Sequence, residues 1–345
     1  MQSLKDHDPR ALGDIAVLGR LGTGGMGVVY AGRTADGTAV AVKTMREDLS
    51  DQSELRERFD REAAALAMVQ GTGTAGLVSH SAPGDDPQWL AMEYVSGLDL
   101  SAYVKGEGPL DATTGTALAF CVTDALASVH AAGLLHRDLK PSNIMLGPTG
   151  PLVIDFGLVA IGGAGGELTV TGAHMGTPLF MAPEQFGAAD KVAAGADVYA
   201  LGAVLAYTLT GRHAYTGPTD HAVRHAICDP EVAPDLEGAP AELAPLLRAL
   251  LSVDPQDRPP LVQVRLQLTE RLAVLGLTPG GARRLVAERT HIPGVEIPDV
   301  AGREPQERRR ERAAAAAAPT RAGTGIRRAA AVADRLRRGY ARPAA

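Results

Sequence analysis

The stretch "LGTGGMGVVYAGRTADGTAVAVK", Leu21 to Lys43, holds glycines at Gly22, Gly24 and Gly27 and a lysine sixteen positions after the last of them. A G-x-G-x-x-G run lets backbone lie close to phosphate oxygens, because no Cβ stands in the way. Two unrelated architectures use such a run. In one, the last glycine opens a helix and an acidic residue closes a second strand about 20 positions later. In the other, the glycines form the tip of a β-hairpin. After Gly27 the chain reads "VVYAGR", which continues a strand rather than starting a helix. Ala35-Asp36-Gly37 supplies turn chemistry, and "GTAVAVKTM" reads as the next strand. On the hairpin reading, Lys43 points its ammonium under the loop, where it neutralises phosphate oxygens.

Outward from this stretch the pattern is β-rich first and helical later. "SELRERFDREAAALAMV" carries Leu55, Phe59, Ala63, Leu66 and Val69 at helical spacing, and short strands are expected around "GLVSHSA" and "QWLAMEYV". After Gly97 come long apolar helices, "ATTGTALAFCVTDALASVHAAG" and "ADVYALGAVLAYTLTG", the second ending at Gly211 as a C-terminal cap. A helix in "APAELAPLLRALLSVDP" follows, and strand-and-loop material lies between the long helices. No internal repeat is visible.

The 345 residues allow one large domain or two moderate ones, and 45% hydrophobic content supports a sizeable core. The start is polar and charged, unlike a signal peptide, and the apolar run Val198 to Leu209 is too short to cross a bilayer, so no transmembrane segment is expected. Two cysteines are too few for a disulfide framework or a cysteine zinc site, and Cys121 reads as a small core residue. The expectation is a reduced, cytoplasmic, soluble protein. The net charge of −6 is uneven. From Arg303 onward 12 arginines face 4 acidic residues, leaving −14 on the preceding 302 residues. Such a break marks a folded body followed by a tail.

Further motifs follow the glycine run in order: "VAVK" with Lys43, Glu62 in the next helix, "HRDLKPSN" from His136 to Asn143, "DFG" from Asp155 to Gly157, and "APE" from Ala182 to Glu184. In these motifs the sequence resembles eukaryotic-type Ser/Thr protein kinases over roughly Asp14 to Leu272. Its Ala-, Gly- and Arg-rich composition is most similar to bacterial, soluble members. The resemblance implies an α+β fold, bilobal, with a small β-rich N-lobe carrying one helix and a larger, mainly helical C-lobe. The boundaries expected are an N-terminal tail at 1–13, the N-lobe at 14–95, the C-lobe at 96–272, and a linker and basic disordered tail at 273–345.

The resemblance also implies roles. Lys43 holds the α- and β-phosphates of ATP, and Glu62 pairs with it. Asn143 and Asp155 bind Mg²⁺, with Mn²⁺ as an alternative, and their hard oxygens suit such a cation. Asp138 orients the substrate hydroxyl, and Lys140 meets the γ-phosphate, as in the Ser/Thr branch. With Gly22, Gly24 and Gly27 over the phosphates, Leu21, Val29 and Ala41 roof the adenine, Met145 floors it, Met92 stands behind it, and the backbone of Glu93 and Val95 meets the purine edge. Glu184 and Arg258 resemble the family's buried ion pair, and Asp197 the aspartate that braces the catalytic loop. Thr169 and Thr171 are candidate phosphosites, to be read by Arg137. No basic residue follows "DFG" closely, which weakens dependence on that modification.

The implied partners are proteins bearing serine or threonine. The basic tail is expected to be solvated, with an acidic partner, a membrane surface, nucleic acid or the acidic body itself as alternative contacts. Dimerisation is compatible with the sequence but leaves no sign in it. Many family members continue into a membrane span and an external sensor; neither is read in this sequence, so the input signal is expected to be cytoplasmic. Competing readings are a binding scaffold of the same fold, opposed by the intact catalytic positions, and a nicotinamide-dependent oxidoreductase, opposed by the strand after Gly27. A small-molecule phosphotransferase is opposed by Lys140 and "APE".

Overall fold

The computed structural model describes residues 1–24, 27–45, 63, 67–69, 73–82, 85–155, 178–187, 193–294 and 296–297. Glu62, Phe156, Gly157, Thr169 and Thr171 therefore lie outside the described residues. The chain divides into two compact units, one of Met1–Gln70, Ala75–Val95 and Val295–Ala345, the other of Gly71–Thr74 and Ser96–Gly294.

Among the described residues the first unit is built on six strands: β1 (Ala11–Leu12), β2 (Ile15–Gly24), β3 (Gly27–Arg33), β4 (Ala39–Thr44), β5 (Leu77–His80) and β6 (Trp89–Glu93). They form one antiparallel sheet in the order β1-β2-β3-β4-β6-β5. Alternation along the strands divides the side chains between two faces. Tyr30, Val42 and Ala91 stand opposite one another in register, and with Leu12, Ile15, Val17, Val40 and Trp89 they make the apolar core of this unit. The other face carries Val29, Lys43 and Leu90 in one row and Ala31, Ala41 and Met92 in the next. Gly27 begins β3 where a Cβ would run into the backbone oxygen of Thr44, so only glycine fits there without a shift.

Residues 1–13, expected as a tail, belong to this sheet. Gln2 bridges Arg20, β1 pairs with β2, and the Asp8 side chain is buried against Arg20. The pairing runs through backbone groups, which leave no side-chain period to read.

The second unit is helical: α1 (Leu100–Glu107), α2 (Ala112–Ala131), α3 (Ala194–Thr210), α4 (Asp220–Cys228), α5 (Ala244–Leu250), α6 (Leu261–Val274) and α7 (Pro279–Thr290), with a hairpin of β7 (Ile144–Gly147) and β8 (Gly150–Val153). Asp99 and Asp111 cap α1 and α2 by accepting from first-turn amides, the role short acidic side chains favour. Gly211 closes α3 at φ 72°, as its position after the apolar run suggested. Nearly every side chain of α3 is buried, and α2 packs against α3, α6 and α7. By length and composition α2 would cross a bilayer, longer than the run noted in the sequence. Here it is the core helix of this unit, with most of its residues inside. Cys121 lies within it, and burial pushes its thiol up to about 12.

The stretch read as a linker after residue 272 is ordered well beyond it. Thr278 caps α7 by accepting from the Gly281 amide, Pro279 takes the first helical position, and Ala282 and Val286 are buried. The chain then lies along Ser96 and Gly97: His291 Nε2 is 3.1 Å from Ser96 O, and Gly294 N donates to Ser96 Oγ at 3.3 Å.

Candidate active site

In the sheet unit, the residues singled out around the glycine run gather on one sheet face and its hairpin. Gly22 pairs with Val29 and Gly24 with Gly27, so the glycines form the closed end of β2 and β3. Leu21 is the extra residue in a register shift between Arg20 and Gly22. Val29 lies beside Lys43, and Ala41 beside Met92, on the face turned away from the apolar core. Lys43 is half-buried. At the end of β6, the Glu93 amide donates to Gly76 O at 2.9 Å. The group that Glu93 can offer a ligand is therefore its carbonyl.

In the helical unit, the loop from His136 to Asn143 brings three candidate residues together. Lys140 Nζ donates to Asp138 Oδ2 at 2.7 Å, with both side chains near half exposure. Asn143 Nδ2 donates to Asp138 O at 2.8 Å and approaches Asp138 Oδ2 at 3.3 Å. With its amide nitrogen held, buried Asn143 presents Oδ1 as the atom able to meet a cation. Ile154 N donates to Asn143 O at 2.9 Å, which brings the end of β8, and so Asp155, to this loop. Met145 follows in β7, opposite Leu152.

Apart from the short turn Pro141–Asn143 the loop is irregular, and its backbone and that just after β8 are constrained. Arg137 has φ 64° and Asp155 φ 52°, values that non-glycine residues adopt only under constraint. At Arg137 the constraint comes from Asp197 in the first turn of α3. Its carboxylate is fully buried and accepts from His136 N at 2.8 Å, Arg137 N at 2.7 Å and His130 Nε2 at 2.7 Å. Burial by itself would raise this carboxyl, but the hydrogen bond from His130 and the charge of its neighbours prevail and hold it below the usual range. His136 is the converse case. Burial lowers its pKa against the pull of Asp197, Asp138 and Asp155, so the ring is neutral beside Ile154 O.

A second brace comes from the "APE" segment. Gln185 Nε2 donates to Arg137 O at 2.9 Å while its Oε1 accepts from Ala182 N. Glu184 meets Arg258 in a two-pronged pair at 2.7 and 2.8 Å, and Arg258 also donates to Ser252, Gly195 and Val253 carbonyls. Its guanidinium stands 5.0 Å from the Tyr199 ring. The roles of His130 and Gln185 were missed in the sequence. Gln185 directly follows a recognised motif. His130 shows only as a polar residue near the end of an apolar helix.

The arrangement presents a half-exposed carboxylate beside a cation and hard oxygen donors, on a backbone locked from beneath. It suits binding and aligning an anionic, metal-bearing substrate rather than forming a covalent intermediate.

Comparison with known proteins points to one family. The family model described as protein kinase domain matches residues 15–267. The chain is 41% identical over 272 residues to serine/threonine-protein kinase AfsK of Streptomyces coelicolor, covering 79% of this chain and 34% of that protein. It is 37% identical over 269 residues to the probable serine/threonine-protein kinase PkwA of Thermomonospora curvata, covering 78% and 36%. It is 36% identical over 266 residues to serine/threonine-protein kinase PknB of Mycobacterium tuberculosis, covering 72% and 41%. The chain thus spans about a third of the length of the first two of these curated relatives. Among solved structures, the fold is similar to Rad53 1-466 crystallised with AMP-PNP, at a TM-score of 0.61 and 23% identity, covering 73% of this chain and 64% of that one.

Proposed function

The chain belongs to the protein kinase family, and we propose that it is a bacterial eukaryotic-type Ser/Thr kinase, transferring the γ-phosphate of ATP to serine and threonine hydroxyls of proteins. The observation that carries this reading is the Asp138 cluster: a carboxylate joined to Lys140 and Asn143 on a loop fixed by buried Asp197.

Asp138 orients the incoming hydroxyl and takes up its proton as the bond to phosphorus forms. Lys140 offsets charge on the transferring group and keeps the carboxylate turned toward the acceptor. Lys43 steadies the α- and β-phosphates from the sheet face, with Glu62 as its partner. Gly22, Gly24 and Gly27 let backbone amides lie against the phosphates. Leu21, Val29, Ala41 and Met145 supply apolar contact for the adenine, and the Glu93 carbonyl and Val95 amide meet its polar edge. Asn143 Oδ1 and the Asp155 carboxylate are hard donors that fit Mg²⁺ or Mn²⁺, and a bound divalent ion supplies neutralisation of the phosphate oxygens. The kinase acts in the cytoplasm, where ATP and a reduced thiol such as Cys121 are at home.

The test is a radiolabelled γ-ATP assay on the whole chain with a generic protein substrate, run beside Asp138→Asn. Incorporation by the parent chain and not by the variant supports the reading. A parent chain that labels neither itself nor the substrate, in Mg²⁺ or Mn²⁺, shifts it to a binding scaffold. Thr169 and Thr171 are the sites we assign to autophosphorylation. Their absence from phosphopeptides of active protein, by mass spectrometry, rejects that part.

A further inference from the structure

The outer edge of β2 is covered along most of its length by residues 1–12. Gln2 N donates to Arg20 O at 2.8 Å and Arg20 N to Gln2 O at 2.9 Å; Val17 N donates to Arg10 O at 3.0 Å. From the turn between these contacts, Asp8 reaches beneath the strand. Arg20 gives it two hydrogen bonds, Nε to Oδ2 at 2.7 Å and Nη2 to Oδ1 at 2.5 Å. Tyr30 OH donates to Oδ1 at 2.8 Å and Lys5 N to Oδ2 at 2.7 Å. Asp8, Arg20 and Tyr30 are each 4–6% exposed. His7 Nε2, 3.4 Å from Arg20 Nη2, is the other titratable group facing the pair.

The position of this cluster gives it meaning. β2 slips register against β3 twice, between Val17 and Gly19 and again between Arg20 and Gly22. Between the two slips only Gly19–Ala31 and Arg20–Tyr30 remain paired in one frame. A ladder broken twice in six residues is weakly specified by its backbone, and a one-residue slip would turn every following side chain to the wrong face. Arg20 and Tyr30 are the two sides of that short frame, and Asp8 binds both.

From this geometry we infer that Asp8, with Arg20 and Tyr30, is a positioning cluster: it fixes the register with which β2 delivers Leu21 and Gly22, and hence the glycine hairpin, to the nucleotide. The inference rests on the kinase reading above for the ligand, while the register claim stands apart from it. The ring of Tyr30 stays in the apolar core and its hydroxyl, pushed up to about 12 by burial and by Asp8, is neutral at working pH. The cluster therefore acts as a fixed clip across the neutral range.

Asp8→Asn and Tyr30→Phe in the full chain test this. For Asp8→Asn the expected result is an ATP KM raised about tenfold, with kcat and the peptide KM within about twofold. Tyr30→Phe should raise the ATP KM by about threefold, since the Arg20–Asp8 pair survives. Amide exchange without nucleotide should quicken at residues 19–23 while Val40–Val42 stays protected. An unchanged ATP KM in both variants overturns the inference. So does a loss in which kcat, peptide KM and exchange at Val40–Val42 all move together, the signature of general destabilisation. If Asp8→Asn does not fold, Tyr30→Phe decides by the same criteria. If the parent chain turns over no ATP, the kinase reading fails, and the exchange arm alone judges the clip.

Discussion

The glycine hairpin and the catalytic loop are both irregular backbone, and they are held in opposite ways. The loop around Asp138 is fixed from beneath by Asp197, a fully buried carboxylate with three donors, and again by Gln185. The hairpin is carried by a ladder with two register slips, with an edge segment that clips Arg20 and Tyr30 at one end and the Thr44 hydroxyl donating to Val28 O toward the other. If Asp138 positions a hydroxyl, as proposed, displacement of only a fraction of an ångström is tolerated, and an over-determined loop meets that need. On the proposed reading the hairpin covers phosphates and must open for product release, which a ladder with two slips resists less than a continuous one.

Breaking the stronger anchor has the largest expected effect. Asp197→Ala strands the His136 and Arg137 amides and removes the partner of His130, at a cost of about 3–5 kcal/mol. Urea denaturation should show that loss, with activity gone even where the fold survives. The same anchor sets an acid limit. Because Asp197 is held below its ordinary range in the fold, its contribution is present above an unfolded value of about 4 and is lost as pH falls through the lower folded value. Parent stability should decline below about pH 4, more steeply than that of Asp197→Asn.

Next is Asp138→Asn, which separates chemistry from scaffold. The side chain is half exposed, and its pair with Lys140 lies near the surface, so the unfolding midpoint should hardly move. Phosphoryl transfer should fall by about 10²–10⁴ in kcat, with ATP affinity kept. A large stability loss would mean the cluster is structural.

The same contrast explains what the sequence disclosed. The grouping of Asp138, Lys140 and Asn143 was legible because they stand close together in one recognisable motif, and Asp197, Glu184 and Arg258 carry the brace in recognisable motifs as well. The hairpin was legible as far as Lys43, since alternation and turn residues survive in the pattern. Its support was not. Asp8 and Arg20 are twelve residues apart and joined by a turn, and Gln2 pairs through backbone alone. Helix α7 escaped for a different reason. Its glycines and arginines lower the apolar signal, although Thr278 and Pro279 together spell a helix start.

Within the hairpin, Gly27→Ala ranks third. The added Cβ meets the Thr44 backbone oxygen, and backbone cannot rotate aside as a side chain can. We expect about 1–3 kcal/mol of destabilisation from the overpacking, read as an earlier thermal midpoint.

Gly22→Ala is the smallest effect and the sharpest probe of the lid. A Cβ built there has nothing within 4 Å, and its φ is not one that disfavours L residues. Neither packing nor conformation in the protein demands glycine, so stability should stay within about 0.5 kcal/mol of the parent. If the residue is glycine for the sake of a ligand, the methyl group stands where phosphate oxygens approach the backbone. ATP KM should then rise several-fold at constant kcat, and the effect should vanish for adenosine, which lacks the phosphates. Equal weakening of adenosine and ATP would place the methyl against the purine instead, and would move Gly22 from the phosphate lid to the adenine roof beside Leu21.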